Sequence, residues 1–557
     1  MQGYLVFGMI AIGVIAMIIR KLYPTPFPGI PYNPESAKRI MGDIPNMIPI
    51  IQATNERSGP VFAASAQKLG TPIAQLLLPG KPLIVLEDPR QVEDIILNRN
   101  KEFDKAPRAV DVMAPMFPNG TIGQRTTPKL KMQKRLWADI TSTEFLLKAA
   151  GPSIYASFCE LVDLWRLKTS ESDSNLMEIH EDFQNAALDA IWSSVVGEKP
   201  GITRHAIENQ NKQPSESEHH PVQPPFGLFL KDELNYISEA ISRNAATPFP
   251  KWASKLETYT PRYRRSRKKI TTEIEAAMRR SVQRARDNEH DTCLMDLVLR
   301  RRAQQMSKES AKPLPDPWTD QNILDETFVI LVGGHDSTAN ALTWFVRYMD
   351  MFPSAQTELR RALKVAFPGN SMPSLEEILN TNIPYLDAAL EEGLRLAGIA
   401  KGNVRQALVD TEILGYKIPK GAEIFMSYHI DRAPAPIDSS KRSTSSQTTI
   451  AKRGDVFQGN AARDLEVFEP KRWLVKDGES NRDIFDPQAL PSLAFSGGYR
   501  GCAGRKMAYM ELRIAVTLLI LNFEFLELPE DYRTLSAVER LFREPSKPYA
   551  RIKAVPV

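Results

Sequence analysis

The chain has 557 residues, 42% hydrophobic and 25% charged, and its 71 lysines and arginines barely exceed its 67 aspartates and glutamates. A formal net charge of +4 supplies no global field for nucleic acid, so any electrostatic partner must meet a local patch. Three cysteines without paired spacing argue against a disulfide framework and for a reducing compartment, and the absence of an internal repeat sets solenoids and propellers aside.

From the N-terminus, Tyr4 to Ile19 is almost wholly apolar and is followed by Arg20 and Lys21. That length is near the lower limit for a spanning helix. No basic leader and no small-x-small site precede Arg20, so residues 1–22 read as a membrane anchor rather than a cleaved signal, and the basic pair places the body on the cytosolic side. Pro24, Pro26, Pro28, Gly29, Pro31 and Pro34 make residues 23–34 a stiff hinge. Residues 35–557 then read as one body, mostly α with small β-sheets. Strand-like runs occur at Ile73 to Leu78, Pro82 to Leu86 and Glu412 to Ile424, the last with turns at Gly415 and at Pro419-Lys420-Gly421. Basic clusters at Arg262 to Lys269, at Arg279, Arg280, Arg284 and Arg286, and at Arg300 to Arg302 read as solvated helix faces, with acidic lipid headgroups as the next option. Asn209 to Pro225 and Ile437 to Gly459 lack apolar periodicity and read as surface loops. His219 and His220, in the first, have no further ligands at metal-binding spacing.

Three constellations carry chemistry. In Thr327 to Val346 an apolar helix pattern is broken by Gly333-Gly334-His335-Asp336-Ser337-Thr338. Glycine four residues before a hydroxyl, twice, places both on one helix face. The result is either a ligand groove with a hydroxyl rim, to which Asp336 relays protons, or a tight helix crossing with a polar kink. Glu392 and Arg395 stand at i and i+3 on a helix whose other face is apolar; alone, such a pair is commonly a weak surface contact. Cys502 lies among glycines just before the apolar positions Met507, Met510, Ile514 and Leu518. A helix N-terminus with Arg500 and Arg505 nearby favours a thiolate able to hold a soft metal or haem iron. Cys159 and Cys293, without glycines, read as small buried hydrophobes.

Phe495, Gly498, Arg500, Cys502 and Gly504 complete the pattern Phe-x-x-Gly-x-Arg-x-Cys-x-Gly, which resembles the haem-binding loop of the cytochrome P-450 superfamily. The Gly333 to Thr338 block resembles that family's oxygen-activating motif, with Asp336 and Ser337 as the acid-alcohol pair, Thr338 beside them, and serine where threonine is usual. Glu392 and Arg395 resemble its Glu-x-x-Arg motif, and Phe468 to Trp473 resembles the segment supplying Arg472 as third member of a buried structural triad. Arg500 and Arg405 match propionate partners; Leu130 to Lys134, with Arg135 following, stands where a Trp-x-x-x-Arg helix is expected but lacks the tryptophan.

The resemblance implies a cytochrome P-450 fold with an N-terminal transmembrane helix and a haem-thiolate catalytic domain over 35–557. It implies haem b on Cys502, and one oxygen atom of O2 inserted into an apolar small molecule, in fungal secondary metabolism. Electrons would come from NADPH through a membrane-bound NADPH-cytochrome P-450 reductase, with cytochrome b5 as an optional second donor, since the chain has no flavin or dinucleotide motif. The place would be the endoplasmic reticulum membrane, single-pass. Two rivals stand: the same fold acting as isomerase, dehydratase or peroxygenase without external electrons, and a membrane-tethered haem sensor or carrier. Because substrate contacts come from variable loops, these motifs set the chemistry and not the substrate.

Deleting residues 1–22 should release the protein from salt-washed membranes while preserving the carbon monoxide spectrum of reduced haem. A soluble, folded truncation without haem would contradict an anchor separate from the haem site.

Overall fold

The computed structural model describes residues 20, 22–171, 176–211, 225–309, 315–457 and 464–556. The expected anchor at Tyr4 to Ile19 lies outside the described residues, among which no helix is long and apolar enough to cross a membrane. His219, His220 and most of the first polar stretch also lie outside them. Helices named below are α1 (Pro89–Asn98), α2 (Pro128–Leu136), α3 (Gly151–Glu171), α4 (His180–Val196), α5 (Phe226–Ala245), α6 (Pro261–Arg286), α7 (Gln321–Met351), α8 (Pro384–Ala397), α9 (Thr444–Arg453) and α10 (Arg505–Asn522). The chain divides into two compact units interleaved along the sequence: one of Met1–Ala109, Ala400–Glu466 and Leu490–Gly501, the other of Val110–Ile399, Val467–Ala489 and Cys502–Val557.

The first unit is built on a five-stranded sheet of β1 (Ile73–Leu76), β2 (Leu83–Leu86), β3 (Phe103–Lys105), β4 (Gly402–Ala407) and β5 (Glu423–Ser427), in the order β1-β2-β5-β4-β3. β1 and β2 are buried at every position, β2 as an unbroken apolar run and β1 with Gln75 satisfied by donating to the Phe27 and Ile30 carbonyls at 2.9 and 2.8 Å. β2 pairs parallel with β5, and the other pairings are antiparallel. Leu76, Leu83, Val85 and Phe425 form the core against one face, with Phe62 edge-on to Phe425 at 4.5 Å. The expected run Glu412 to Ile424 resolves into a hairpin, Thr411–Ile413 with Tyr416–Ile418, followed by β5. Its turn residues Leu414 and Gly415 have φ of 51° and 80°, the left-handed pair that a two-residue hairpin needs.

The second polar stretch is not simply a loop, because it carries α9. Ser443 caps this helix by accepting the Ser446 N–H, while Ser445 donates to Asp94 on α1. The buried guanidinium of Arg442 reaches the Asp88 carboxylate at 2.7 Å. Asp88 is itself the N-cap of α1, accepting the Gln91 N–H at 2.8 Å. An anchored ion pair thus orders a segment with no apolar face, and hydrophobic periodicity cannot register it.

The second unit is helical. α7, 31 residues long and capped by Asp320, is buried along most of its length and packs against α4, α8 and α10. Strands Phe523–Leu526, Tyr549–Ala554 and Leu176–Glu178 form an antiparallel sheet, and Ala537–Glu539 pairs with Arg543–Pro545 as a hairpin. The basic clusters are more than solvated faces. Arg262 and Lys269 hold Glu233 at 2.7 Å each, Arg267 pairs with Asp325 while stacking over Phe328, and Arg284 pairs with Asp296. Arg302 is buried against Asp320 at 3.0 Å. Acidic partners from distant helices, invisible to local charge counting, draw Arg267, Arg284 and Arg302 inward, while Arg262, Lys269 and most of the other cluster cations stay exposed as expected.

Arg442→Ala leaves the Asp88 carboxylate buried beside no guanidinium, which typically costs about 3–5 kcal/mol. A urea midpoint unchanged from wild type would show that the pair does not anchor α9.

Candidate active site

Gly498 begins a short 3-10 turn with φ +61°, and a Cβ there would lie 2.2 Å from the carbonyl oxygen of Ile96, so only glycine fits. Ser496, just before it, also adopts positive φ and shares a 2.9 Å hydrogen bond with the Tyr428 hydroxyl. Gly504 caps α10. Cys502 therefore sits two residues before a helix N-terminus, as the glycine pattern required.

The Cys502 residue is exposed, yet protein atoms hem in its thiol. Burial pushes the thiol above the ordinary value, outweighing the N–H groups of Gly504 and Arg505 and the charge of Arg505. The helix-end N–H groups and Arg505 pull the thiol toward the thiolate against burial, and a bound metal would complete the ionisation. Cys293 is buried and its thiol is pushed up to about 12, as suits an inert core cysteine.

In the first unit, Lys105 on β3 stands directly opposite Arg405 on β4. Both side chains are buried. Burial first, then the charges of Arg500 and Arg405, push the Lys105 ammonium down to about 7, and Asp104 offsets only part. Like charges opposed across a ladder are destabilising unless an anion joins them. The donor set thus fits the carboxylates of a haem. Lys105 escaped the sequence reading because its signal is strand register rather than a motif. Lys134 and Arg135 end α2, where Lys134 acts on Glu326 and the Arg135 carbonyl accepts from Arg301 at 3.0 Å.

On α7 the two glycines of the pair meet different surroundings. A Cβ on Gly333 would meet nothing within 4 Å, and the half-buried Ser337 donates to the Gly333 carbonyl at 2.6 Å, so this face is open. A Cβ on Gly334 would lie 2.8 Å from Ile191 of α4, which makes the tight crossing. Asp336 turns into the core, its Oδ1 accepting from Gln184 at 3.1 Å. Asp336 and Ser337, adjacent in sequence, thus point to different surroundings.

Thr338 is buried too, donating to the Gly334 carbonyl at 3.0 Å, with an oxygen of Glu511 on α10 3.2 Å away. The hydroxyl's single hydrogen serves either acceptor, and the contact ties the cysteine-bearing helix to α7. Burial pushes the Glu511 carboxyl up to about 8, against the Thr338 hydrogen bond. The sequence reading passed over it; a lone acid on an otherwise apolar helix face was the available signal.

Glu392 on α8 accepts from Arg395 Nε at 2.8 Å, Arg395 Nη2 at 2.7 Å and Arg472 Nε at 2.8 Å. Trp473 Nε1 at 2.9 Å and the Glu469 N–H at 3.0 Å complete its shell. These groups hold its carboxyl below the ordinary range although burial opposes them.

The family model described as Cytochrome P450 matches residues 41–434 and 464–550. The chain is 29% identical to the cytochrome P450 monooxygenase TRI13 of Fusarium sporotrichioides, with 96% of each chain covered. It is 29% identical to the cytochrome P450 monooxygenase xilC of Penicillium crustosum, over 98% of this chain and 96% of that one. With the cytochrome P450 monooxygenase GME11363 of Pestalotiopsis microspora it shares 30% identity over 98% of each. A crystal structure of a cytochrome P450 superposes with a TM-score of 0.66 at 18% identity, covering 95% of this chain and 100% of that chain.

Glu511→Gln should stabilise the protein increasingly as pH rises. With the folded carboxyl near 8 and the unfolded one near 4.5, wild type loses stability from the unfolded value upward until Glu511 ionises in both states. The variant lacks that loss. Thermal midpoints of the two proteins should therefore diverge between pH 5 and 8, and parallel midpoints would show that Glu511 is already ionised.

Proposed function

The chain belongs to the cytochrome P450 family, and we propose that it inserts one oxygen atom of O2 into an apolar small organic molecule of fungal secondary metabolism. The carrying observation is the glycine-formed turn that sets Cys502 before α10, and near-full-length similarity to three fungal monooxygenases supports the reading. Cys502 would hold the iron of a haem b, and Arg405, Arg500 and Lys105 would neutralise its propionates; Phe495, Gly498 and Gly504 would shape the loop. The haem, when bound, supplies the redox iron that activates dioxygen.

The remaining roles fall to this chain's own groups. Asp336 would pass protons within the core, and Ser337 would present a hydroxyl at the open face of α7, where it hands a proton on. Thr338 positions the helix through Glu511. Glu392, Arg395 and Arg472 fix α8 against the segment that follows it. Electrons would arrive from NADPH through cytochrome P-450 reductase, with cytochrome b5 as an accessory donor, and residues 1–22 would tether the enzyme to the endoplasmic reticulum.

Cys502→Ser should abolish the thiolate-type Soret band of the reduced carbon monoxide complex. Ser337→Ala should keep that band but divert NADPH electrons into peroxide, since a positioned proton donor is typically worth about two to four decades in its step. Product per NADPH, read with reductase on fluorogenic alkoxycoumarins chosen by their spin shift, decides between this reading and electron-independent chemistry. Ser337→Thr should couple as well as wild type or better.

A further inference from the structure

The buried Asp336 needs a route to solvent, and its neighbours are titratable. A ring nitrogen of His180, at the start of α4, an oxygen of Asp336 and an oxygen of Glu544, on the Arg543–Pro545 strand, all lie within 4.8 Å of one another. Asp336 and Glu544 are buried, whereas His180 is partly exposed.

The hydrogen bonds fix the imidazole tautomer. Thr343 donates its single hydroxyl hydrogen to the Ala339 carbonyl at 2.7 Å, so its oxygen accepts from His180 Nδ1 at 3.2 Å. Nε2 is left with a lone pair, able to take up a proton and release it.

We infer that protons reach Asp336 through His180 and Glu544, which form an entry cluster on the α4 side of α7. The inference rests on the proposed role of Asp336 as the proton-holding acid. In each transfer the Glu544 carboxyl O–H breaks as an O–H forms on Asp336, with one water bridging gaps too long for a direct hydrogen bond. His180, neutral at rest, takes up a proton from solvent on Nε2 and passes it to Glu544. No electrons move.

The surrounding charges suit this traffic. Burial, then the charge of Asp336, pushes the Glu544 carboxyl up to about 7, with Glu239 adding and Arg540 opposing. Such a group is loaded with a proton near neutrality, where transfer is efficient. Burial pulls His180 down to about 4 against Asp336, with Arg540, Lys231 and His335 lowering it further, so it gives up a proton readily. Lys231 is engaged by Glu181 and Asn185 at 2.7 and 2.8 Å. Arg540, 3.5 Å from Glu544, is largely exposed and marks the solvent side.

The test uses the full-length enzyme with reductase, NADPH and the alkoxycoumarin selected by spin shift, from pH 6 to 9. Wild-type product per NADPH should decline above about pH 7 as Glu544 loses its proton. Glu544→Gln and His180→Phe should each lower the ratio roughly tenfold or more, flatten the decline and enlarge the solvent deuterium effect. Both should keep the carbon monoxide band and turnover driven by added hydrogen peroxide, which brings its own protons. Glu544→Asp, retaining a transferable proton, should recover most of the coupling and guards against a misfolded glutamine variant. If Glu544→Gln and His180→Phe couple like wild type while Asp336→Asn does not, the entry route is wrong and the acid stands. If Asp336→Asn also couples normally, the acid assignment itself falls.

Discussion

Lys105 facing Arg405 across a strand register, with Arg500 close enough to bear on the lysine, is the constraint on which the cofactor reading depends. A protein does not gain stability by burying like charges opposite each other in a sheet. Burial and the charges of Arg500 and Arg405 depress the Lys105 ammonium, and Asp104 offsets only part of this. A dianionic ligand edge would favour the charged form of these cations, and binding it would then be coupled to the stability of the sheet.

The central helix separates functions by angle. Successive residues on α7 are turned by about 100°, and four of the five positions from Gly334 to Thr338 exploit this. Gly334 admits Ile191 of α4, Asp336 looks toward Gln184, Ser337 stays with the open face of Gly333, and Thr338 meets Glu511. A glycine pair followed by a hydroxyl pair is thus two devices in register. One glycine clears a groove and the next permits a crossing, and neither can be exchanged for the other by a one-residue shift.

What the sequence made legible were residue types at fixed short spacing: the loop around Cys502, the block at Gly333 to Thr338, and the Glu392-Arg395 pair. These depend on local backbone geometry, so spacing carries them. The groups it hid depend on where a distant segment lands. Lys105 acquires meaning through strand pairing, Glu511 through the packing of α10 on α7, and Trp473 through reaching back to Glu392. α9 was hidden for a related reason, since an Arg442–Asp88 pair spanning the sequence replaces the apolar face that periodicity detects. At Cys502 two opposing effects meet: the helix-end N–H groups act as foreseen, and burial, which spacing cannot register, works against them.

Glu511 and Glu544 show that one perturbation can have opposite consequences. Burial raises both carboxyls, to about 8 and about 7. Glu511 is enclosed, with Thr338 as the partner of one oxygen and an apolar helix face around it. A proton held there has no conductor, so the group serves as a fixed link joining two helices. Glu544 lies beside a partly exposed imidazole and an exposed guanidinium, and its proton has somewhere to go. Access to solvent, rather than the size of the pKa displacement, separates a carboxyl that holds structure from one that can move protons.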